Sequence, residues 1–324
     1  MKPVPPAEAD EVPCHMASPP RDGSNVADLA EFARWHVASG DIDPAYPVLA
    51  ALIDRWGLDP EEAIRFVLLY VAFYDLGSAV SAWDAGAWTP GRGLDHRFAL
   101  LPTGTERRGL RGGINLLTHI DSLDGRAAGG SLLSWLTSRF TGDPRTDWKV
   151  AEATIRSVEH NGRWAAYKTG EILATVCKLP IEPTDAGHDF SSGPRAGLAL
   201  VYPKVTKFKG ARPGTVAALD DFTEELRVDL AGRGVPLPVE QLETVLCDWH
   251  AVVEGRYYVG HDWDMMMEQV NRPHVTPEAL ADIMAARAVS TEARWLGEFN
   301  DWSGVRKPLK RLYKDHGCLD WWTE

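Results

Sequence analysis

Apolar residues recur at three- and four-residue intervals along most of the chain, which is the spacing of one face of an α-helix. After Ser24, a candidate helix cap, the residues Leu29, Phe32, Ala33 and His36 fall on one such face. Long stretches of alternating apolar and polar residues, the pattern of a half-buried strand, are not seen. The pattern therefore predicts a mainly α-helical fold.

The clearest helix start is Asp59-Pro60-Glu61-Glu62, because it combines a cap, a proline in the first turn and a glutamate at the third helical position. The helix that follows, to about Trp83, is apolar nearly all round and is predicted to lie in the core. A short extended piece is predicted at 198–205. The further predicted helices are 44–56, 114–123, 131–140, 147–159, 165–178, 214–231, 238–253, 277–287, 291–299 and 303–316.

Three regions are predicted along the chain. Residues 1–23 are rich in Pro, Ala and Asp, a composition typical of a disordered leader. Residues 24–270 are predicted to form one helical domain. Residues 271–324 are predicted to be a helical C-terminal extension.

The net charge of −12 opposes nucleic-acid binding at first sight, because affinity for DNA comes largely from Lys and Arg that replace phosphate counterions. The distribution of charge matters more than its sum. Basic residues cluster at Arg107, Arg108 and Arg111, at 204–212 and at 306–314. Each cluster is either an ordinary solvated surface or a phosphate-binding patch, and both interpretations stay open.

The four cysteines, Cys14, Cys177, Cys247 and Cys318, lie far apart with no Cys-x-x-Cys pair. This spacing argues against a zinc ribbon or a disulfide scaffold and indicates a reducing compartment. No signal peptide is apparent, and the longest apolar run, 66–74, is shorter than the ~20 residues that span a bilayer. We therefore expect a cytoplasmic protein without a membrane partner.

Asn161-Gly162 predicts a turn directly before a helix, with Arg163 and Lys168 in the helix that follows. Helix-hairpin-helix DNA glycosylases are built similarly, with a glycine turn whose backbone N–H groups hold a DNA phosphate. By itself the signal is common. We expect Gly162, Arg163 and Lys168 to contact DNA.

The loop that follows Pro180 carries Asp185, Asp189 and Arg195. Carboxylates and an arginine on one glycine-containing loop suit a small zwitterion, since a carboxylate can take a proton from an amine and a guanidinium can clamp a carboxylate. The alternative is structural: the aspartates form turns and Ser192 caps a helix. The residues alone favour neither.

Glu243 and Cys247 stand four residues apart and share a helix face. Cys247 is a candidate nucleophile, although a cysteine among Leu and Val is more often a packing residue. Glu243 is harder to assign to packing, because a carboxylate is rarely buried without a partner.

Two segments together resemble the phage amino acid:DNA transferases, also named α-glutamyl/putrescinyl thymine pyrophosphorylases. The segments are LPIEPTDAGHDFSSGPRAGLAL (179–200) and QLETVLCDWHAVVEGRYYVGHDWD (241–264). The region from Trp35 to Leu49 is also similar, so the resemblance extends from about residue 32 to 264. The family is related to helix-hairpin-helix glycosylases, so the resemblance implies a glycosylase-like helical fold for 24–270.

The resemblance implies that pyrophosphorylated 5-hydroxymethyluracil in phage DNA receives an amino acid or amine, which displaces pyrophosphate. Glu182 and Thr184 match the family's Pro-x-Glu-Pro-Thr segment. Further matches are Ser192, Arg195 and Gly197 in the Ser/Arg/Gly loop and Glu243 and Cys247 in the Glu-x-x-Leu-Cys helix. Ala196 departs from the family, which carries Asn before the glycine.

The expected catalytic bases are Asp185, Asp189 and Glu243, and the expected substrate-binding residues are Arg195, Ser192, Gly197, Glu182 and Cys247. Arg163 and Lys168 are expected to neutralise the departing pyrophosphate, with Mg²⁺ as a candidate cofactor. No residues are predicted to bind a metal. The expected partners are double-stranded phage DNA and a free amino acid or amine. Two rivals stay open: a helix-hairpin-helix DNA glycosylase and a non-catalytic DNA-binding protein.

Overall fold

The computed structural model describes residues 26–104, 113–127, 130–254, 256–257 and 259–291. Within these ranges the chain is mostly α-helical, so the predicted fold class is confirmed. None of the described helices is long and apolar enough to cross a membrane. The predicted leader and the helices predicted after residue 291 lie outside the described ranges.

The described elements are, in chain order, α1 (Val26–Ala38), α2 (Ala45–Trp56), α3 (Pro60–Phe73), α4 (Leu76–Asp84), β1 (Trp88–Thr89), β2 (Gly93–Leu94), α5 (Gly113–Ala127), α6 (Leu132–Thr137), α7 (Pro144–Ile155), α8 (Arg163–Val176), α9 (Gly193–Val201), α10 (Pro213–Gly232), α11 (Val239–Val253), α12 (His261–Val270) and α13 (Pro277–Ser290). The strands form an antiparallel pair with Trp88 opposite Leu94. Short 3-10 turns cover Phe98–Leu100 and Pro203–Lys207.

Contacts within the chain define two compact units, each built from separate segments. Among the described residues, the first unit comprises 26–43 and Asp185–Asp264. The second unit comprises Pro44–Thr184 and Met265–Thr291. The candidate residues of the 185–197 and 243–247 segments therefore belong to the first unit.

The first unit is held together by an apolar core that its four complete described helices share. Leu29 and Phe32 of α1, Leu198 of α9, Leu226 of α10 and Leu246 of α11 are all fully buried in this cluster. The face predicted for α1 is confirmed, since Leu29, Phe32, Ala33 and His36 are all buried. Removal of these apolar faces from water is the main force that fixes α9 against α11.

The second unit contains the predicted helix start at Asp59. Asp59 accepts a hydrogen bond from the Glu62 N–H at 2.9 Å, and Glu62 accepts one from the Asp59 N–H at 3.1 Å, which completes a capping box. The prediction of one helix to Trp83 is wrong. Tyr74 takes a left-handed conformation with φ 48°, and Asp75 caps a new helix through the Ser78 N–H.

The extended piece predicted at 198–205 is also wrong. These residues lie in the last turns of α9 and in the 3-10 turn that follows it. Pro194 stands in the first turn of α9, where a missing N–H costs nothing, and Leu198 and Val201 fall on the buried face. The helix thus begins inside the segment that was interpreted as a loop, and it carries Arg195 in its first turn.

Candidate functional site

The close packing of α9 against α11 depends on two glycines. A Cβ added to Gly193 would lie 2.4 Å from Cys247 Sγ, and one added to Gly197 would lie 2.0 Å from the Leu246 carbonyl oxygen. Both distances are shorter than any real Cβ contact, so only glycine permits this approach. The two segments that carry the family resemblance are therefore in direct contact through residues of their motifs.

The loop before α9 is tied to α10 through a buried histidine. His188 is fully buried, and its Nε2 lies 2.7 Å from the Thr223 hydroxyl. Thr223 donates its own proton to the Leu219 carbonyl at 2.9 Å, so its oxygen accepts a hydrogen bond from His188 Nε2–H. Neutral His188 consequently has an unprotonated Nδ1.

Arg195 extends from the first turn of α9 back to this loop. Its Nη2 donates a hydrogen bond to the His188 carbonyl oxygen. Its Nε is buried and has no hydrogen-bond partner among the described residues. One edge of the guanidinium is thus fixed by the protein, and a donor remains for a ligand.

The electrostatics around this loop are dominated by carboxylates. Burial first, and then repulsion from neighbouring acids, raises the pKa of Asp220 on α10 to about 7. The repelling groups are Asp185, Asp221 and Asp189. Burial lowers the pKa of His188 to about 4, and the Arg195 guanidinium contributes to the shift. At neutral pH His188 is therefore neutral and Asp220 is close to half-ionised.

Asp185 and Asp189, the predicted bases of the loop, are both partly exposed. Asp185 Oδ1 accepts a hydrogen bond at 2.9 Å from the N–H of Gly187, whose φ of 64° favours glycine. The turn-forming interpretation of Asp185 therefore holds alongside a chemical one. Ser192 is exposed and precedes α9, but its side chain makes no capping bond.

Glu243 on α11 is buried, with 4% of its surface exposed. Its Oε2 lies 3.5 Å from the Thr244 hydroxyl. Cys247 is half-buried one turn further along, where it packs against Gly193. The structure gives Cys247 and Gly197 a packing role, since both lie where α9 and α11 approach closely, and their expected contacts with substrate stay predictions.

A second buried polar cluster of the first unit was not predicted from the sequence. His36 Nε2 lies 3.0 Å from the Tyr257 hydroxyl and 3.6 Å from Asp248 Oδ2. Burial lowers the pKa of His36, raises that of Asp248, and raises that of Asp262 to about 6. The acids of this cluster are Asp41, Asp43, Asp248 and Asp262. Because they lie far apart in the sequence, only the folded protein brings them together.

Asp41 fixes this cluster. It is fully buried and accepts hydrogen bonds from the Tyr257 hydroxyl at 2.9 Å, from the Gly260 N–H and from the Trp263 N–H at 3.0 Å. These three donors satisfy both oxygens of the buried carboxylate. Asp41 therefore acts as a structural anchor between the end of α1 and the start of α12.

The predicted DNA contacts lie in the second unit. Gly162 is the N-cap of α8 and Arg163 its exposed first residue, so the turn is where the sequence placed it. Lys168 is 6% exposed and its Nζ lies 2.9 Å from Glu171 Oε2. This ion pair fixes Lys168 inside the second unit, and its expected contact with DNA stays a prediction.

The other expected residues are placed as follows. Glu182 is exposed in the second unit, where its Oε1 lies 3.4 Å from Arg145 Nε. Arg107, Arg108 and Arg111 lie outside the described residues. No group of three or more His, Cys, Asp or Glu side chains in the described ranges is arranged to hold a metal ion.

Comparison with known protein families gives a match over the region that contains α9 and α11. The matching family model is that of the amino acid:DNA transferases, which aligns with residues 36–258. No solved structure matches the chain. Because the match extends over most of the chain, the protein belongs to the amino acid:DNA transferase family.

Proposed function

We propose that the protein hypermodifies thymine-derived bases in phage DNA. In this reaction an amino acid or amine replaces the pyrophosphate of pyrophosphorylated 5-hydroxymethyluracil. The observation that carries the proposal is the site at the start of α9, where the buried Nε of Arg195 lacks a partner beside an acidic loop. A buried donor next to carboxylates is complementary to the two charges of an amino acid.

The proposed reaction has two stages. A carboxylate first takes one proton from the ammonium group, which exposes the nitrogen lone pair. The nitrogen then attacks the 5-methylene carbon, a C–N bond forms, and the C–O bond to pyrophosphate breaks with its electron pair on the leaving oxygen. Asp185, Asp189 and Glu243 are the bases expected from the sequence, and Arg195 holds the amino acid's carboxylate.

Access to the methylene group requires that the base leave the duplex. In this proposal Gly162 and Arg163 hold a DNA phosphate at the first turn of α8, where the backbone N–H groups point out of the helix end and the helix dipole favours an anion. Ser192, which is exposed, lies next to Arg195 and can contact either substrate. Binding to duplex DNA should weaken with salt, with a log–log slope near −0.9 per phosphate contacted; a salt-independent affinity would contradict it.

The decisive experiment offers the protein DNA that contains pyrophosphoryloxymethyl-uracil together with a mixture of amino acids. Nucleoside mass spectrometry then separates the three candidate functions. An aminoacyl-type adduct supports the proposal. An abasic site would indicate a glycosylase, and an unchanged base with measurable DNA affinity would indicate a binding protein.

A further inference from the structure

Three buried polar atoms without a hydrogen-bond partner in the described chain lie around the 185–192 loop. They are His188 Nδ1, Arg195 Nε and Asp220 Oδ1. The His188 nitrogen is an acceptor, because Nε2 carries the proton that Thr223 accepts. The set therefore consists of one donor and two acceptors, and such buried groups are costly unless a ligand satisfies them.

The two acceptors come from elements that face one another. His188 is on the loop, and Asp220 is on α10, one turn before the Thr223 that binds His188. Asp185 and Asp189 of the loop repel the charge of Asp220, so the three carboxylates are close in space. An ammonium group placed among them would have its charge balanced and its N–H groups accepted.

We propose that Asp220 is the base that deprotonates the amino group of the incoming amino acid, while His188 Nδ1 accepts a hydrogen bond from the same group. This inference rests on the proposed function. The ammonium proton passes to Asp220 Oδ1, and the nitrogen lone pair is released for attack on the methylene carbon. His188 orients the nitrogen and does not change its own protonation.

Asp220 suits this role better than the aspartates of the loop. A base is most effective when its pKa lies near the working pH, because it is then both ionised in part and basic enough to take the proton. Burial and the charges of Asp185, Asp189 and Asp221 bring the pKa of Asp220 to about 7. Asp185 has a structural hydrogen bond from Gly187 to maintain as well.

The first test compares Asp220→Asn with Glu225→Gln on the same helix, an exposed carboxylate that is not among the groups that raise the pKa of Asp220. Asp220→Asn should lower kcat/KM for the amino acid by about 10²- to 10⁴-fold, which is the usual range for a lost base. It should also remove the rise in kcat/KM near pH 7. Glu225→Gln should stay within about twofold of wild type. Equal activities of the two variants would overturn the inference.

An amine that is already unprotonated at neutral pH supplies a sharper test. With methoxyamine as nucleophile no proton has to be removed before attack, so Asp220→Asn should regain most of the wild-type rate. A defect that persists with methoxyamine would show that Asp220 does something other than accept the proton. Wild-type protein that forms no adduct with any amine would overturn the proposed function itself.

His188→Gln tests the second part of the proposal, the hydrogen bond from the amino group to His188 Nδ1. The glutamine amide can replace Nε2–H as the donor to Thr223, but it offers no acceptor at the position of Nδ1. The KM for the amino acid should rise by about tenfold, the value of one hydrogen bond, while the Kd for DNA stays unchanged. An unchanged KM would remove His188 from the site, and circular dichroism checks that the variant is folded.

Discussion

Gly197→Ala should destabilise the protein and impair its activity together. The added Cβ would lie 2.0 Å from the Leu246 carbonyl oxygen and 2.7 Å from the Leu246 carbonyl carbon. Both atoms belong to the backbone of α11, so no side chain can rotate away, and the two helices must separate. Overpacking typically costs ~1–3 kcal/mol, and a rigid neighbour places this case at or above ~3 kcal/mol.

Urea unfolding followed by tryptophan fluorescence measures the effect, since Trp249 lies buried on α11. With a typical urea slope of ~1–3 kcal/mol/M, a loss of ~3 kcal/mol moves the midpoint by at least ~1 M. The matched control is Gly125→Ala in α5, where the new Cβ meets nothing within 4 Å. That variant should gain up to ~1 kcal/mol from helix propensity.

The functional consequence follows from the position of Arg195, two residues before Gly197 on the same helix. A shift of α9 away from α11 displaces the guanidinium from its site, so the amino-acid KM should rise even in the fraction that is folded. A Gly197→Ala protein with a wild-type urea midpoint would refute the packing argument. A wild-type KM in a destabilised variant would refute only the link to Arg195.

Three further outcomes test the site and its supports. Arg195→Lys should raise the amino-acid KM about ten- to a hundredfold without changing the Kd for DNA, because an ammonium cannot make the two parallel bonds of a guanidinium. Weaker DNA binding with an unchanged KM in steady-state assays would instead place Arg195 on the DNA surface. The control is Arg233→Lys, at an exposed arginine. Asp41→Asn should lower the free energy of unfolding by ~2–4 kcal/mol in the same urea titration, since the amide would face one of three donors; an unmoved midpoint contradicts this. Asp220→Asn should stabilise the protein at pH 8 by ~1–2 kcal/mol, after allowance for solvent screening, and should change its stability little near pH 4. The pKa of the native carboxyl is raised to about 7, so the folded protein keeps a proton that the unfolded chain has released. Ionisation of Asp220 therefore destabilises the native state as the pH rises from about 4 to 7. Thermal melts at the two pH values measure it, and a larger gain at pH 4 would contradict it.

The helical elements could be predicted from sequence wherever a local signal was strong. The Asp59 capping box and the buried face of α1 are both set by residues within one or two turns, so periodicity and capping chemistry suffice. The break at Tyr74 escaped prediction because the apolar pattern continues across it. Its signal was Asp75, whose side chain caps α4 through the Ser78 N–H.

The start of α9 was predicted only as one of two alternatives, the one in which Ser192 caps a helix. Ser192 is the N-cap residue of α9, although its side chain makes no capping bond, and Pro194 stands in the first turn. Gly197 was expected to bind substrate. In the structure Gly193 and Gly197 allow the close approach of α9 to α11, a contact between separate helices that no local pattern encodes.

The candidate site shows the same division between local and tertiary information. Asp185, Asp189 and Arg195 were found because they lie on one short segment. Asp220 was not predicted as a site residue, since its chemical character comes from burial and from the loop it faces. The tautomer of His188 could not be predicted either, because it depends on Thr223 and on the carbonyl of Leu219.

The residues that carry the family resemblance serve packing as much as chemistry. Gly197 and Cys247 hold α9 on α11, and Arg195 needs that contact to keep its guanidinium beside His188. Groups that bind a small zwitterion must be held to within a fraction of an ångström, and helices achieve this better than a loop. A motif of this kind therefore specifies the distance between two helices first and the ligand contacts second. Activity lost through Gly197 should consequently reflect a displaced Arg195, whereas activity lost through Asp220 should reflect a missing proton acceptor. Aminooxyacetate separates the two, because it keeps the carboxylate that Arg195 holds while its amine needs no base, so only the Asp220 defect should disappear.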